Sequence, residues 1–139
     1  MIRLDRVADA LPSGLDALRD EARSEGHRML DTLATEWASG VQRFARPNEA
    51  LFAAYFGEQL IGVGGITVEA SIPGAMRMRR FYVALAHRRN GVGHALVAAL
   101  FEHAHGRVIT ANVAVGSEVF WESFGFLPDR RDGRTHIRR

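Results

Sequence analysis

Residues 50 to 85 read "ALFAAYFGEQLIGVGGITVEASIPGAMRMRRFYVAL", and this stretch most constrains what the chain can become. Its apolar, aromatic and β-branched runs are interrupted only by Gly57-Glu58 and by "SIPGA". Runs of this kind bounded by turn residues are strands. Strands joined by such short connections can only pair antiparallel, because a parallel pair needs a crossover of a dozen residues or more. The stretch therefore predicts a three-stranded antiparallel meander, with "MRMRRFYVAL" as its last strand.

On either side the period changes. Upstream, "MIRLDRV" alternates like a short half-buried strand. Pro12 and Ser13 then open a helix carrying Leu15, Leu18 and Ala22 on one side, broken at Gly26. A second helix carries Met29, Leu30, Leu33 and Trp37 and closes at "ASG". Downstream the pattern predicts a helix from Val92 to His105, a strand in "RVITANVAV" and a short helix in "SEVFWESF" stopping at Gly125. A hairpin around Asp132-Gly133 ends the sequence. A meander followed by strand–helix–strand implies an α/β fold with a mixed sheet and helices on both faces. The 139 residues suit one domain, 1–139, without linker or repeat.

Composition excludes several chemistries. There is no cysteine, so no disulfide, thiolate metal site or cysteine nucleophile. His103 and His105 lie two apart on a helix, point to different sides and do not chelate one ion; they read as a solvated helix end, and no metal is expected. No Gly-x-Ser-x-Gly elbow occurs. Every basic residue is arginine, yet the net charge is only +2 and the basic clusters are separate, so no nucleic-acid partner is expected. No window suits a membrane span or signal peptide, and a cytoplasmic protein is expected.

The candidate site is "HRRNGVGHALVAALFEHA", residues 87–104. A helix start offers unpaired backbone N–H groups and partial positive charge, a ready anion site. Gly91 and Gly93 permit close approach to that backbone, and Arg88 and Arg89 add planar donors suited to phosphate. The same string also fits a solvated strand-to-helix turn with glycines for geometry. It is neither a Walker loop nor the dinucleotide fingerprint.

The order of elements and Arg88-Arg89-Asn90-Gly91-Val92-Gly93 together resemble the GNAT superfamily of acetyl-CoA-dependent N-acetyltransferases, whose central motif is Arg/Gln-x-x-Gly-x-Gly/Ala. "RRFYV" is similar to that family's fourth strand, "FWESFGFLP" to its Phe-Tyr-x-x-x-Gly-Phe signature, and the opening "EGHRMLDTLATEWASGVQRF" to the helix pair of small bacterial members. The resemblance implies a mostly antiparallel, twisted sheet splayed between strands four and five. It implies acetyl-CoA as co-substrate, its pyrophosphate on the amides of Asn90, Gly91, Val92, Gly93 and His94 with Arg88 and Arg89 assisting. Its pantetheine would lie along Phe81, Tyr82 and Val83, and Phe120 and Trp121 would line the channel. An amine acceptor, direct attack with both substrates bound, and a homodimer follow from the same resemblance. Many relatives carry a tyrosine acid where this chain has Trp121, whose indole N–H is no acid. Ser117 is the candidate donor on the thiolate side, Glu69 the candidate base, and Arg28 and Arg43 the candidate readers of an anionic acceptor. The alternative is a non-catalytic acyl-CoA-binding or sensing module on the same fold.

Overall fold

The computed structural model describes residues 1–139. In chain order the elements are β1 (Ile2–Arg6), α1 (Leu15–Ser24), α2 (Met29–Ser39), β2 (Ala50–Phe56), β3 (Gln59–Val68) and β4 (Met76–Val83). After a 3₁₀ turn at Leu85–His87 come α3 (Val92–Ala104), β5 (Ile109–Ala111), α4 (Glu118–Glu122), β6 (Leu127–Arg131) and β7 (Arg134–Arg138). One sheet holds all seven strands in the order β1-β2-β3-β4-β5-β7-β6. Every neighbouring pair is antiparallel except β4–β5, which α3 joins as a parallel crossover.

The meander forms as its turns demand. Gly57 sits at φ +60° in the β2–β3 loop. In the β6–β7 hairpin, Asp132 and Gly133 both have positive φ (+52° and +78°), the two-residue geometry that matches strand twist. The sheet is covered on both faces. A Cβ on Gly62 would touch Leu96 and Val92 of α3, whereas one on Gly65 would run into the Phe44 ring, so these two positions of β3 face opposite layers. Leu15, Leu18, Leu30, Leu33 and Trp37 of α1 and α2 pack in one apolar cluster with β2 and β3. Val97, Leu100, Met78, Ile109, Trp121 and Phe126 form the second. Asp31 at the start of α2 receives Arg19 and Arg23 from α1, at 3.3 and 2.6 Å. The Arg23 hydrogen bond comes first among the causes that hold its carboxyl at about 2.

Three features differ from the expectation. β5 is three residues long rather than the whole of "RVITANVAV". The reason is loss of partners: beyond Ala111 the Val113 N–H bonds to the Thr135 hydroxyl at 2.9 Å instead of a strand. His103 is not a solvated helix end; its ring lies edge-on to Phe52 at 5.6 Å, and burial lowers its pKa. Thirdly, β4 carries a bulge. Val63 pairs with Tyr82 and Gly65 with Arg79, so Arg80 and Phe81 together oppose the single residue Gly64. Arg80 takes the left-handed φ of +54°, which costs a non-glycine residue about 1 kcal/mol.

Gly64 makes this bulge possible, since a Cβ there would stand 2.8 Å from the Phe81 ring. Gly64→Ala is expected to destabilise the fold by about 1–3 kcal/mol through overpacking. Urea denaturation checks this: a lower midpoint with an unchanged slope is the expected result.

Candidate active site

The bulge opens a fork. β4 and β5 pair only at Met76–Ile109 and Arg77–Thr110, and past these positions the two strands part. Residues Arg79 to Val83 therefore present one backbone edge without a partner strand. The direction of that edge follows from strand alternation. The Ala84 N–H bonds back to Ile61 of β3 at 2.8 Å, so Val83 turns its own N–H and C=O towards the fork. The Val83 carbonyl accepts from Arg88 Nε at 2.9 Å. Its N–H is the group left facing the opening.

At the mouth of the fork the chain enters α3. Arg89 (φ +66°) and Gly91 (φ +84°) are both left-handed, and Gly91 is the N-cap, with no side-chain cap hydrogen bond. The first helical bond is Ala95 N–H to Gly91 O at 3.0 Å. The amides of Val92, Gly93 and His94 thus precede any intrahelical acceptor, with the positive end of the helix behind them. A Cβ on Gly91 would meet nothing within 4 Å, so this side of the cradle is open to an approaching group. Gly93 has a different task. A Cβ there would lie 2.9 Å from the Phe120 ring, so the missing side chain admits that ring against the helix.

Phe120 belongs to an aromatic wall between α3 and α4. Phe81 lies 4.8 Å from Trp121 and 5.7 Å from Phe120, centroid to centroid, and His94 lies 5.7 Å from Phe120. Trp121 is 5% exposed and also packs on Phe126, so its ring is part of the wall. Phe81, Val83, Gly93, His94, Phe120 and Trp121 are thereby gathered along one side of β4.

Tyr82 points the other way, under α1. Its hydroxyl donates to Glu21 at 2.8 Å and also to Glu25. Burial, then these two carboxylates, push its pKa above the ordinary phenol value. Arg88 completes the cluster: its two terminal nitrogens contact Glu25 at 3.0 and 2.6 Å. That guanidinium, followed by the Tyr82 hydroxyl, holds the Glu25 carboxyl below its usual range. The Leu85 N–H bonds to Glu21 at 2.9 Å. Two acids of α1 thus anchor the end of β4 and the turn that leads into the cradle. The Arg88 guanidinium is spent on Glu25 and Val83.

Other sequence candidates are not brought to the fork's mouth. Glu69 is buried where β3 meets the paired end of β4 and β5. It accepts from Thr110 Oγ (2.6 Å), Ser71 N (3.0 Å) and Ser71 Oγ (2.9 Å). Those bonds and Arg77 hold its pKa low against the opposing burial. This carboxylate cross-links the Ser71 turn, β4 and β5. Ser117 Oγ donates to the Ala114 carbonyl at 2.7 Å. Arg28 is 76% exposed beside Asp31, and Arg43 donates to the Trp37 carbonyl at 3.0 Å and stacks on its ring. Sequence reasoning missed Glu21 and Glu25. Their signal was an (i, i+4) like-charge pair, unfavourable on an isolated helix and so in need of donors.

The matched family model is the acetyltransferase (GNAT) domain, over residues 18–136. The chain belongs to this family of GNAT acetyltransferases. No curated protein matches it in sequence. Among solved structures, it is similar to a protein of Exiguobacterium sp. 255-15 assigned as an acetyltransferase, with 21% identity, a TM-score of 0.88, and coverage of 99% of this chain and 92% of that one. An acetyltransferase of Streptococcus agalactiae 2603 superimposes with a TM-score of 0.76 at 14% identity, covering 99% and 97%. Glucosamine-6-phosphate N-acetyltransferase of Arabidopsis thaliana gives 0.63 at 13% identity, covering 95% of each chain. No helix is long and apolar enough to cross a membrane, and no group of three or more His, Asp or Glu side chains is placed to hold a metal.

The Glu25–Arg88–Tyr82 cluster sets a pH dependence. A carboxyl whose folded pKa is depressed contributes stability above its unfolded pKa, near 4.5, and loses it as pH falls through the folded value. Glu25→Gln is therefore expected to be less stable than the parent at pH 7. The deficit should shrink steadily below pH 4.5, as thermal melts across pH 7 to 3 would show.

Proposed function

We propose that this chain transfers an acetyl group from acetyl-CoA to a primary amine, by direct attack with both substrates bound. The observation that carries this reading is the meeting of two features at one point: free α3 amides at the cradle, and a forked β4 whose unpaired edge runs from it. The residues fit the co-substrate. The amides of Asn90, Gly91, Val92, Gly93 and His94, with Arg89, would hold a pyrophosphate, since Gly91 leaves the approach open and no side chain competes for the N–H groups. The edge at Phe81 to Val83 would pair with an amide-bearing arm as a strand would, against the wall of Phe120 and Trp121. Acetyl-CoA supplies an activated thioester carbonyl.

The Val83 N–H is the donor this chain offers to a carbonyl oxygen gaining charge, an oxyanion-type contact. No tyrosine hydroxyl stands free at the site, because α4 carries Trp121, which cannot donate a proton as an acid, and the Tyr82 hydroxyl of β4 is committed to two carboxylates. A thiol of pKa near 8.5 leaves as a thiolate without full protonation. Catalysis then rests chiefly on holding two reactants in line, which can supply several kcal/mol. The same absence of an acid favours a second reading, an acyl-CoA-binding module without turnover.

Saturating acetyl-CoA is expected to raise the melting temperature by roughly 10 °C, the mass-action stabilisation at about a hundred times Kd. Gly91→Glu, which puts bulk and negative charge into the cradle, should abolish the shift. Gly91→Ala adds only backbone strain and should keep most of it. An unchanged shift in Gly91→Glu would refute the cradle. Thiol release across an amine panel then divides enzyme from binding module: silence with every amine, despite the thermal shift, selects the latter.

A further inference from the structure

β4 carries three arginines in four residues, and one of them has no partner. Arg77 contacts Glu69 at 3.5 Å and donates to the Gly133 carbonyl at 2.8 Å. Arg80 reaches Glu36 of α2 at 2.7 Å. Arg79 makes no side-chain hydrogen bond or ion pair, and its Nε is shut away from solvent without an acceptor. The two carboxylates in its vicinity, Glu36 and Glu69, are the ones already bound to Arg80 and to Thr110, Ser71 and Arg77. Three guanidinium groups therefore share two carboxylates. Burial and the neighbouring Arg80 and Arg77 charges lower the pKa of Arg79, yet a guanidinium stays charged near neutrality. A half-buried, unpaired positive charge is costly, and an anion brought to it relieves that cost.

Register fixes where Arg79 points. It pairs with Gly65, whose missing Cβ would face Phe44, so Arg79 lies on the α1–α2 face of the sheet. Arg77 and Thr110 are the last paired positions of β4 and β5, and both reach Glu69 on that face. Two residues further along β4 stands Arg79, on the same face and at the crotch of the fork, and on the other arm of the fork Asn112 is the first residue past the end of β5. Asn112 is exposed and makes no side-chain hydrogen bond. The crotch thus offers a cation and an amide, opposite the wall of Phe81, Phe120 and Trp121 on the other face.

We infer that Arg79 reads an anion on the acceptor: the amine acceptor of this site carries a carboxylate or phosphate, which docks on the Arg79 guanidinium with Asn112 beside it. The inference rests on the acetyl-transfer reading for the identity of the ligand as acceptor, but the anion site itself does not. It replaces Arg28 and Arg43 in that role, since both lie away from the fork with partners of their own.

The test is calorimetric binding of two matched pairs to the CoA-saturated protein: β-alanine against β-alaninamide, and O-phosphoethanolamine against ethanolamine. The anionic member of at least one pair is expected to bind about tenfold more tightly, the scale of one charge-assisted hydrogen bond. The pair with the larger ratio tells carboxylate from phosphate. Arg79→Gln should remove the preference and Arg79→Lys keep part of it. Asn112→Asp should also remove it by repulsion; being an exposed change, it decides the matter where Arg79→Gln fails to fold. Equal affinities within both pairs, no binding of either anionic compound at 10 mM (roughly the weak limit of one such contact), or a preference unchanged in Asn112→Asp and a folded Arg79→Gln would overturn the inference. Gly91→Glu separates it from the cradle. Anion binding that survives Gly91→Glu and vanishes in Arg79→Gln lies at the fork, whether or not the protein binds CoA.

Discussion

The structure turns on one local conflict, two residues of β4 facing one residue of β3. Gly64 has no side chain, so Phe81 can lie across it, and Arg80 takes up the surplus length in a left-handed conformation. A bulge bends its strand and increases local twist. The bend comes three residues after Arg77, the last residue of β4 that pairs with β5. A straight β4 would zip to β5 along its length and bury the edge at Phe81 to Val83 in a ladder. The bulge instead stores that edge as an unpaired one, beside the free start of α3. Fork and cradle are one consequence of the same strand geometry.

An unpaired edge at the end of a strand would fray without support, and the support comes from α1. Glu21 and Glu25 hold Tyr82, Leu85 and Arg88, which are the end of β4, the turn and the first motif arginine. Arg88 then clips the Val83 carbonyl. The arrangement selects between the two polar groups of Val83: the carbonyl is satisfied from within, and the N–H is not. Helix α1 in turn is tied to α2 through Asp31. The helix pair is therefore part of the site's scaffold, although none of its residues reaches the cradle.

This division explains what the sequence did and did not disclose. The meander, the helix from Val92 and the turn at Asp132-Gly133 were legible because periodicity and turn chemistry are local. The cradle was legible for the same reason: glycine at φ +84° and an uncapped helix start lie within a few consecutive residues. The bulge was not, because it depends on a glycine in one strand meeting a surplus residue in another; only the run "RMRR", which breaks strict alternation, hinted at it. Glu69 looked like a free acid at a strand end. Its donors come from Ser71, Arg77 and Thr110, and the last lies 41 positions along the chain, a separation no local pattern encodes. Gly93 shows the converse: its place in the motif was legible, but its reason is a ring 27 residues away at Phe120.

The two faces of β4 are chemically opposite, and alternation makes them so. On one face Met78 and Phe81 join α3 and α4 in an apolar and aromatic layer; on the other, Arg77, Arg80 and Tyr82 meet the carboxylates of α1, α2 and the end of β3, and Arg79 stands unpaired. A ligand lying along the open edge between them would therefore meet apolar rings on one side and charge on the other. That asymmetry suits two different reactants brought together at one edge, one long and amide-bearing, one small and charged. Fixing their encounter demands no acid or base from the protein if the leaving group is a weak base and the arriving amine is already neutral. Trp121, whose indole N–H is no acid, is held in the aromatic layer by Phe81 and Phe126. What α4 contributes is a rigid wall, and alignment is what a rigid wall supplies.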